Sequence, residues 1–484
     1  MPAERNLNQD GAAVRLCRGA DRLYLPLLLI LGLVVAMIVY RQLTVPELPD
    51  GISALAKWLI KDAFAFGLFG LALMLLLWQV SFALRYKPFK RVTAEELPML
   101  SVVIPAYNEG DQILATVRSV MASEYPRERL QVICVDDGSL DDTWKWINRA
   151  HEEFPESLTI HKQPYNQGKR CALMAGFAVA KGEVIVTLDS DSEVLPDTLA
   201  ELVSPFIRDA RVGSVAGNVR VLNQNEGMIP KMLEVSFTSA FDYIRAGQSV
   251  YGGVFCTPGA LSAYRTTVLN SLLEEWSQQT FMGKPATIGE DRALTNLVLA
   301  SGNRVVYQRN AVVLTKVPTR YQGLRKMLTR WARSNVRESL VMFTFVFKPF
   351  RTKGEGANWI RLFSMVQMLR MTLFEALKIA LLLSVILNTD EALFGIALGC
   401  LVASIIPGTV YLLRYRNLFG YRWAVPFSFF WILTLSWIPF WGMLTASNSG
   451  WLTRTVPAQK SQSAVSGLTV PNLSVSSLTV KTLD

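Results

Sequence analysis

Three stretches of this 484-residue chain, residues 23–40, 63–84 and 392–413, contain no charged side chain at all. The apolar core of a bilayer takes roughly 20 helical residues, so runs of this length are read as membrane spans. A fourth uncharged stretch covers residues 423–453 and is interrupted by Pro426 and Pro439. A fifth candidate, residues 371–387, carries Glu375 and Lys378 at a helical i,i+3 spacing that lets them pair. Hydrophobic residues make up 51% of the chain and charged residues 18%, and the apolar ones are gathered into these runs. The chain is therefore expected to be a multi-pass membrane protein.

The formal net charge of +10 invites a nucleic-acid reading, but the basic residues flank the apolar runs. Arg5, Arg15, Arg18 and Arg22 precede the first run, and Arg85, Lys87, Lys90 and Arg91 follow the second. The positive-inside rule puts both flanks in the cytoplasm and leaves 41–62 as a short outer loop, although Arg41, Lys57 and Lys61 lie in it. No nucleic-acid partner is expected; the partner is the lipid bilayer. Five cysteines (Cys17, Cys134, Cys171, Cys256, Cys400) show no C-x-x-C spacing and there are two histidines, which argues against zinc and for reduced, mostly buried thiols. The first run starts late and lacks a small-residue cleavage site, so it reads as an anchor rather than a removed signal peptide.

Between residues 98 and 318 the pattern changes to that of an α/β domain. SVVIPAY (101–107), LQVICVDDG (130–138) and GEVIVTLDSD (182–191) are β-rich runs that end in polar or acidic residues, with helix-like stretches at 110–123 and 141–153 between them. This alternation predicts a doubly wound, mostly parallel sheet, whose ligands bind beyond the carboxyl ends of its strands. Residues 1–97 then form an N-terminal segment with two transmembrane helices. Residues 319–358 mix Arg and Lys with Leu, Met, Trp and Phe, as amphipathic interfacial helices do. Residues 359–454 hold the C-terminal transmembrane helices, and 455–484 a Ser/Thr/Val-rich tail expected to be disordered. Whether the tail lies inside or outside is left open by Pro426 and Pro439.

The polar strand ends carry the chemistry. Asp189 and Asp191 flank Ser190 after an apolar strand; two carboxylates so spaced can hold a hard divalent cation, with a diphosphate supplying further oxygens. A solvated loop is the bland alternative. Asp136 and Asp137, before Gly138 and Ser139, are placed to meet the base or ribose of a nucleotide, and equally suit a plain turn. Glu109 closes the first strand within reach of the same nucleotide. Lys169 and Arg170 follow Asn166 and Gly168 in a loop suited to a diphosphate. Glu290 and Asp291 precede the apolar helix 293–300; they suit helix capping, or Asp291 suits a general base that deprotonates an acceptor hydroxyl.

The ordered set PAYNEG, VDDGS, NQGKR, DSD, GED and RW, over about residues 60–455, resembles the inverting, family-2-type processive glycosyltransferases of membranes. Within that family it is most similar to hyaluronan synthases, chitin synthases and the rhizobial chitin-oligosaccharide synthase. CTPGALSAYR (256–265), TIGEDRALTN (287–296) and TRWARSNVRES (329–339) match that subgroup further. The resemblance implies a GT-A-like nucleotide-sugar-binding domain inserted between transmembrane helices, facing the cytoplasm of a cell membrane. It also implies roles: Asp136 on the uridine, Asp189 and Asp191 on the diphosphate and a Mg²⁺ or Mn²⁺ ion, Asp291 as catalytic base with Glu290 beside it. Arg330 faces the diphosphate and Trp331 the acceptor sugar. Trp451–Arg454 resembles the family's Trp-Gly-Thr-Arg element.

One departure stands out. Met327 and Leu328 occupy positions where the subgroup carries glutamine, and a thioether cannot donate an amide's hydrogen bonds. The expected activity is transfer of a sugar, N-acetylglucosamine first and glucuronate in alternation second, from a UDP-sugar to a growing polysaccharide that leaves across the membrane. The rival within the class is a nonprocessive enzyme that moves one sugar onto a lipid phosphate; a catalytically silent scaffold is the rival outside it. Sugar, linkage, chain length and oligomeric state stay open at this level.

Overall fold

The computed structural model describes residues 12–43, 54–352, 354–387, 389–448 and 450. Arg5, residues 44–53 of the expected outer loop, the Trp451–Arg454 element and the 455–484 tail lie outside the described residues; the rest of that loop is taken up by the helices Ala12–Leu43 and Ala54–Arg85.

Ten strands follow the apolar runs: β1 (Leu100–Ala106), β2 (Leu130–Asp136), β3 (Leu158–Lys162), β4 (Val184–Leu188), β5 (Ser192–Val194), β6 (Val212–Val221), β7 (Leu261–Arg265), β8 (Thr280–Phe281), β9 (Lys284–Pro285) and β10 (Arg304–Thr315). Eight of them form one sheet in the order β3-β2-β1-β4-β7-β6-β10-β5, and β8 pairs with β9 as a separate hairpin. Strands β1 to β4 run parallel, as do β6 and β10. Strand β7 is inserted antiparallel between β4 and β6, and β5 lies antiparallel on β10. The sheet is thus mixed, with its parallel half where the alternating strand–helix pattern predicts it.

Helices cover both faces, which is why β1 and β4 read as unbroken apolar runs rather than alternating ones. Successive residues of β1 still divide between two cores. Val102 and Ile104 join Ile113, Val117 and Ile147, whereas Val103 joins Leu173, Phe177, Trp276 and Val298. Gly176 allows the helix Lys169–Val179 to lie flat on the sheet; a Cβ there would sit 2.3 Å from a Val103 methyl.

This topology collects the polar motifs at one edge. The carboxyl ends of β1, β2 and β4 meet there, and the Asp137 N–H donates to the Ala106 carbonyl at 2.8 Å. Because β7 is antiparallel, Leu261 at its start stands opposite Leu188 at the end of β4, so the 256–260 segment reaches the same edge. The third β-rich run is broken by its own acidic motif: β4 stops at Leu188, and Asp189–Asp191 turns into β5.

The basic region forms one long helix, Tyr321–Phe345, with Met327, Arg333, Arg337 and Glu338 buried. It packs between the helix Glu290–Ala300 on one side and the helices Ala12–Leu43 and Trp437–Leu444 on the other. Tyr24, Leu27 and Leu31 meet Val336, Leu340, Met371 and Met443 in a third core. Among the described residues, Gly19–Met37 and Leu393–Tyr415 are long and apolar enough to cross a bilayer. The pair Phe419–Leu435 and Trp437–Leu444, bent by 42°, makes a third span if taken as one. The 63–84 run lies within the helix Ala54–Arg85, and Glu375 pairs with Lys378 at 2.6 Å as their spacing predicts. Cys134 and Cys400 are buried free thiols, while Cys171 is exposed.

Candidate active site

A cavity of about 610 Å³ opens at the carboxyl edge of the sheet, lined by residues from each of the motifs PAYNEG, VDDGS, NQGKR, DSD, GED and RW. Glu109, Lys169, Asp189, Asp191, Glu290, Asp291, Arg330 and Trp331, separated by up to 222 positions in the chain, all face it.

The loops are stitched together by short polar bonds. The Asn108 N–H donates to Ser139 Oγ at 3.0 Å and the Leu140 N–H to Asn108 Oδ1 at 2.9 Å. Thr143 Oγ1 accepts the N–H groups of Glu109 and Gly110 at 2.8 and 2.9 Å. Asp137, which lines the cavity, accepts the Gln167 and Gly168 N–H groups at 2.8 and 2.9 Å and so holds the Asn166–Arg170 loop in place.

Asp136 lies elsewhere than its motif suggests. It is the last residue of β2, fully buried, while Asp137 is the one in the wall. Adjacent residues of a strand point to opposite faces, so only one of the pair can look into the cavity. Asp136 Oδ1 accepts the Ser139 N–H at 3.0 Å, and its Oδ2 has no partner among the described residues.

Lys169 is the electrostatic centre. Its ammonium makes an ion pair with Asp189 and lies 3.5 Å from Glu290 Oε1. Burial alone works against the charge, but Asp189, Glu290 and then Asp291 outweigh it and hold the pKa above the ordinary lysine value. Gly259 permits this arrangement, since a Cβ there would meet Lys169 Nζ at 2.8 Å. On the far side of the turn, Asp191 Oδ1 accepts the hydroxyls of Ser192 and Thr315 at 3.2 and 3.3 Å.

Asp291 sits in the first turn of the helix Glu290–Ala300, and its Oδ2 faces the Gly259 N–H at 3.3 Å and the Cys256 thiol at 3.6 Å. The turn before it needs glycine twice over: Gly289 has φ +70°, and a Cβ there would lie 2.3 Å from Ser334 Cβ. The buried Arg337 guanidinium donates to the Ile288 carbonyl, fastening this turn to the long helix. Cys256 is pushed up to about 11 by burial, with Asp291 adding to the shift.

Trp331 forms an aromatic corner with Phe237 and Phe241, at ring-centroid distances of 6.1 and 6.2 Å, and buried Met327 lines the same cavity. The motif pattern missed Phe237 and Phe241, although their i,i+4 spacing on a helix was a signal. It also missed Arg292, Thr315 and Lys316. Thr315 and Lys316 follow from the strand-end rule once VVLTK is seen to close a strand.

Six carboxylates (Glu109, Asp137, Asp189, Asp191, Glu290, Asp291) face the cavity against four cations (Lys169, Arg292, Lys316, Arg330). A diphosphate entering such a wall calls for an added cation. Among the described residues no group of three or more His, Cys, Asp or Glu side chains is disposed to hold a metal alone. The donor set of Asp189 and Asp191 therefore fits an ion shared with a substrate's phosphate oxygens rather than an all-protein cage.

Residues 101–273 match the family model for glycosyl transferase family 2. An N-acetylglucosaminyltransferase of Rhizobium meliloti (strain 1021) is 32% identical over 371 residues, covering 75% of this chain and 83% of that one. One from Mesorhizobium japonicum is 30% identical over 385 residues, covering 79% and 87%. A hyaluronan synthase of Streptococcus pyogenes is 33% identical over 282 residues, covering 57% and 66%. Among solved structures, a mannosyltransferase from Pyrobaculum calidifontis in complex with GDP-Man and Mn²⁺ superimposes with a TM-score of 0.52 at 22% identity, over 77% of this chain and 97% of that one, and so shares the GT-A-like fold. With similarity running across most of both chains, this protein belongs to glycosyl transferase family 2 and is a glycosyltransferase.

Proposed function

We propose that this chain is a membrane-embedded, inverting, metal-dependent polysaccharide synthase that uses a UDP-sugar, N-acetylglucosamine first, on the cytoplasmic side. The observation that carries the reading is the shared cavity: Asp189 and Asp191 line it with Asp291, and Trp331, Phe237 and Phe241 form an aromatic corner in its wall. A carboxylate base, an aromatic platform for a sugar ring and a diphosphate subsite are what a single displacement requires.

In that displacement the acceptor oxygen forms its bond to the anomeric carbon as the bond from that carbon to the diphosphate breaks. Asp291 takes the acceptor proton, and the leaving electron pair departs on UDP. Glycine and thiol donors at Asp291 Oδ2 aim the carboxylate at the acceptor. Lys169 and Arg330 meet the diphosphate, and Trp331 stacks on the acceptor sugar. A Mg²⁺ or Mn²⁺ ion bound through Asp189 and Asp191 would neutralise charge on the departing diphosphate. Asp137, the acid of the pair that lines the cavity, is placed to meet the nucleotide, while buried Asp136 holds the turn after it through the Ser139 N–H.

Export is supported by the apolar helices and by two smaller voids beside the cavity. One shares Phe241, Cys256 and Arg292 with its lining, and the other is lined by Leu75 and Trp78 of the helix Ala54–Arg85. The test is incubation of the purified protein with radiolabelled UDP-sugars, with Mg²⁺, Mn²⁺ or a chelator, and sizing of the product. Metal-dependent polymer is expected. A lipid-linked monosaccharide and no polymer would replace this reading by single transfer to a lipid phosphate, with Met327 in place of glutamine as its structural basis.

A further inference from the structure

Two of the three rings in the aromatic corner share one helical stretch. Phe237 ends the helix Met228–Phe237, and Phe241 lies in the widened π-helical turn Thr238–Tyr243 that follows it directly. Such turns are rare and recur at functional sites. On a neighbouring face of the same stretch stand two acids, Glu234 and Asp242, each 1% exposed. A carboxylate is stable at that depth only when its charge is met.

Both are met by arginines from distant segments. Glu234 pairs with Arg220 of β6, whose Nε donates at 2.9 Å, and its second oxygen accepts the Val221 N–H at 3.0 Å. Asp242 takes two arginines. Its Oδ1 accepts from Nε of Arg309, on β10, at 2.9 Å, and its Oδ2 from Nε of Arg414 at 2.7 Å. Arg309 in turn rests 4.5 Å from the centre of the Tyr86 ring.

Arg414 belongs to the last turn of the helix Thr389–Tyr415, which is long and apolar enough to cross a bilayer. The next residue, Tyr415, receives the Arg220 guanidinium on its ring at 4.1 Å. Consecutive residues at the end of one span therefore touch both buried ion pairs. Those pairs hold the stretch that presents Phe237 and Phe241, whose rings lie 4.7 Å apart. Phe241 lines the catalytic cavity, whereas its neighbour Asp242 stands behind the wall.

We propose that Asp242 is a positioning residue. Bridged to Arg309 and Arg414, it fixes Phe241 against Trp331, so that the grip of the aromatic corner on the acceptor depends on how the span Thr389–Tyr415 is seated. The proposal rests on the synthase reading above and deepens it. Lys169 and Asp189, on the donor side, are fastened by a separate ion pair. A weakened bridge therefore releases the growing chain sooner and leaves UDP-sugar binding as it was.

Purified full-length protein in detergent tests this as wild type, D242N, R414Q, R414K and the double variant D242N/R414Q. UDP release against donor concentration gives the KM for the UDP-sugar, and a sizing column gives product length. R414Q is expected to make products about two- to ten-fold shorter, the range of coupling between contacting side chains, with the donor KM unchanged. The double variant should shorten products no further than D242N alone, because both changes break one contact. R414K should recover part of the length. Wild-type product length in folded R414Q, a donor KM that rises with the shortening, or independent effects that multiply in the double variant would each overturn the proposal. Where D242N does not fold, because Arg309 has lost its counter-charge, R414Q and R414K decide alone. Failure of the wild-type protein to make polymer would instead sink the synthase reading, so the two failures are distinguishable.

Discussion

The Lys169 ammonium is locked in an ion pair with Asp189, and Glu290 Oε1 lies 3.5 Å from the same nitrogen. One buried cation thus ties the helix after Gly168 to both acidic motifs. Replacement by glutamine would leave those carboxylates facing each other uncompensated. Lys169→Gln is expected to raise the KM for the UDP-sugar about ten-fold or more, read as UDP release against donor concentration. Because the pairing raises the lysine pKa, its contribution to stability is fully present below the unfolded value of about 10.4 and is lost as pH rises through the folded one. The difference in Tm between the wild type and this variant should therefore stay constant from about pH 7 to 9.

Asp291→Asn keeps the shape of the site and removes the base. The expected loss in kcat is about 10²- to 10⁴-fold, with UDP binding retained. A variant that turns over at the wild-type rate would dismiss Asp291 as the base.

At Gly289 the main obstacle is steric. Gly289→Ala forces a side chain into a left-handed turn and against Ser334, so a destabilisation of about 1–3 kcal/mol and a sharp fall in activity are expected. A second change, Ser334→Gly, should recover part of the activity, because it removes the clash but not the strained φ. Chemical denaturation and UDP release on the three proteins separate these effects.

Met327 is buried in the cavity wall that also holds Trp331. Met327→Gln restores the amide of the subgroup's motif. If that amide finds the acceptor, products should lengthen on a sizing column. An amide left unpaired there would instead cost about 1–3 kcal/mol and lower the Tm.

The Cys256 thiol, pushed up to about 11 by its burial, stays protonated near neutrality. The stability gained by keeping it neutral is present below the unfolded pKa of about 8.5 and is lost as pH climbs through 11. Maleimide labelling of this residue, followed by peptide mapping, should be slow at pH 7 and accelerate steeply toward pH 10.

Much of this protein was legible from the chain alone because its two strongest signals are local. An uncharged run such as 392–413 needs a nonpolar surround whatever its neighbours are, and it forms part of the helix Thr389–Tyr415. An apolar strand that ends in acids, such as VIVTLDSD, announces both its secondary structure and the edge at which it stops. The acidic motifs were accordingly found in order, and the structure brings Asp189, Asp191 and Asp291 into one cavity. What required the tertiary structure was everything set by direction and by distant partners. Which of Asp136 and Asp137 faces the cavity depends on the phase of β2 in the sheet. That β7 runs antiparallel depends on its pairing with β4 and β6, far away in sequence. The aromatic corner of Phe237, Phe241 and Trp331, the clasp of Arg337 on Ile288, and the bridge of Asp242 between Arg309 and Arg414 each join segments dozens of residues apart. No period or local motif encodes such meetings; close packing of the assembled helices creates them.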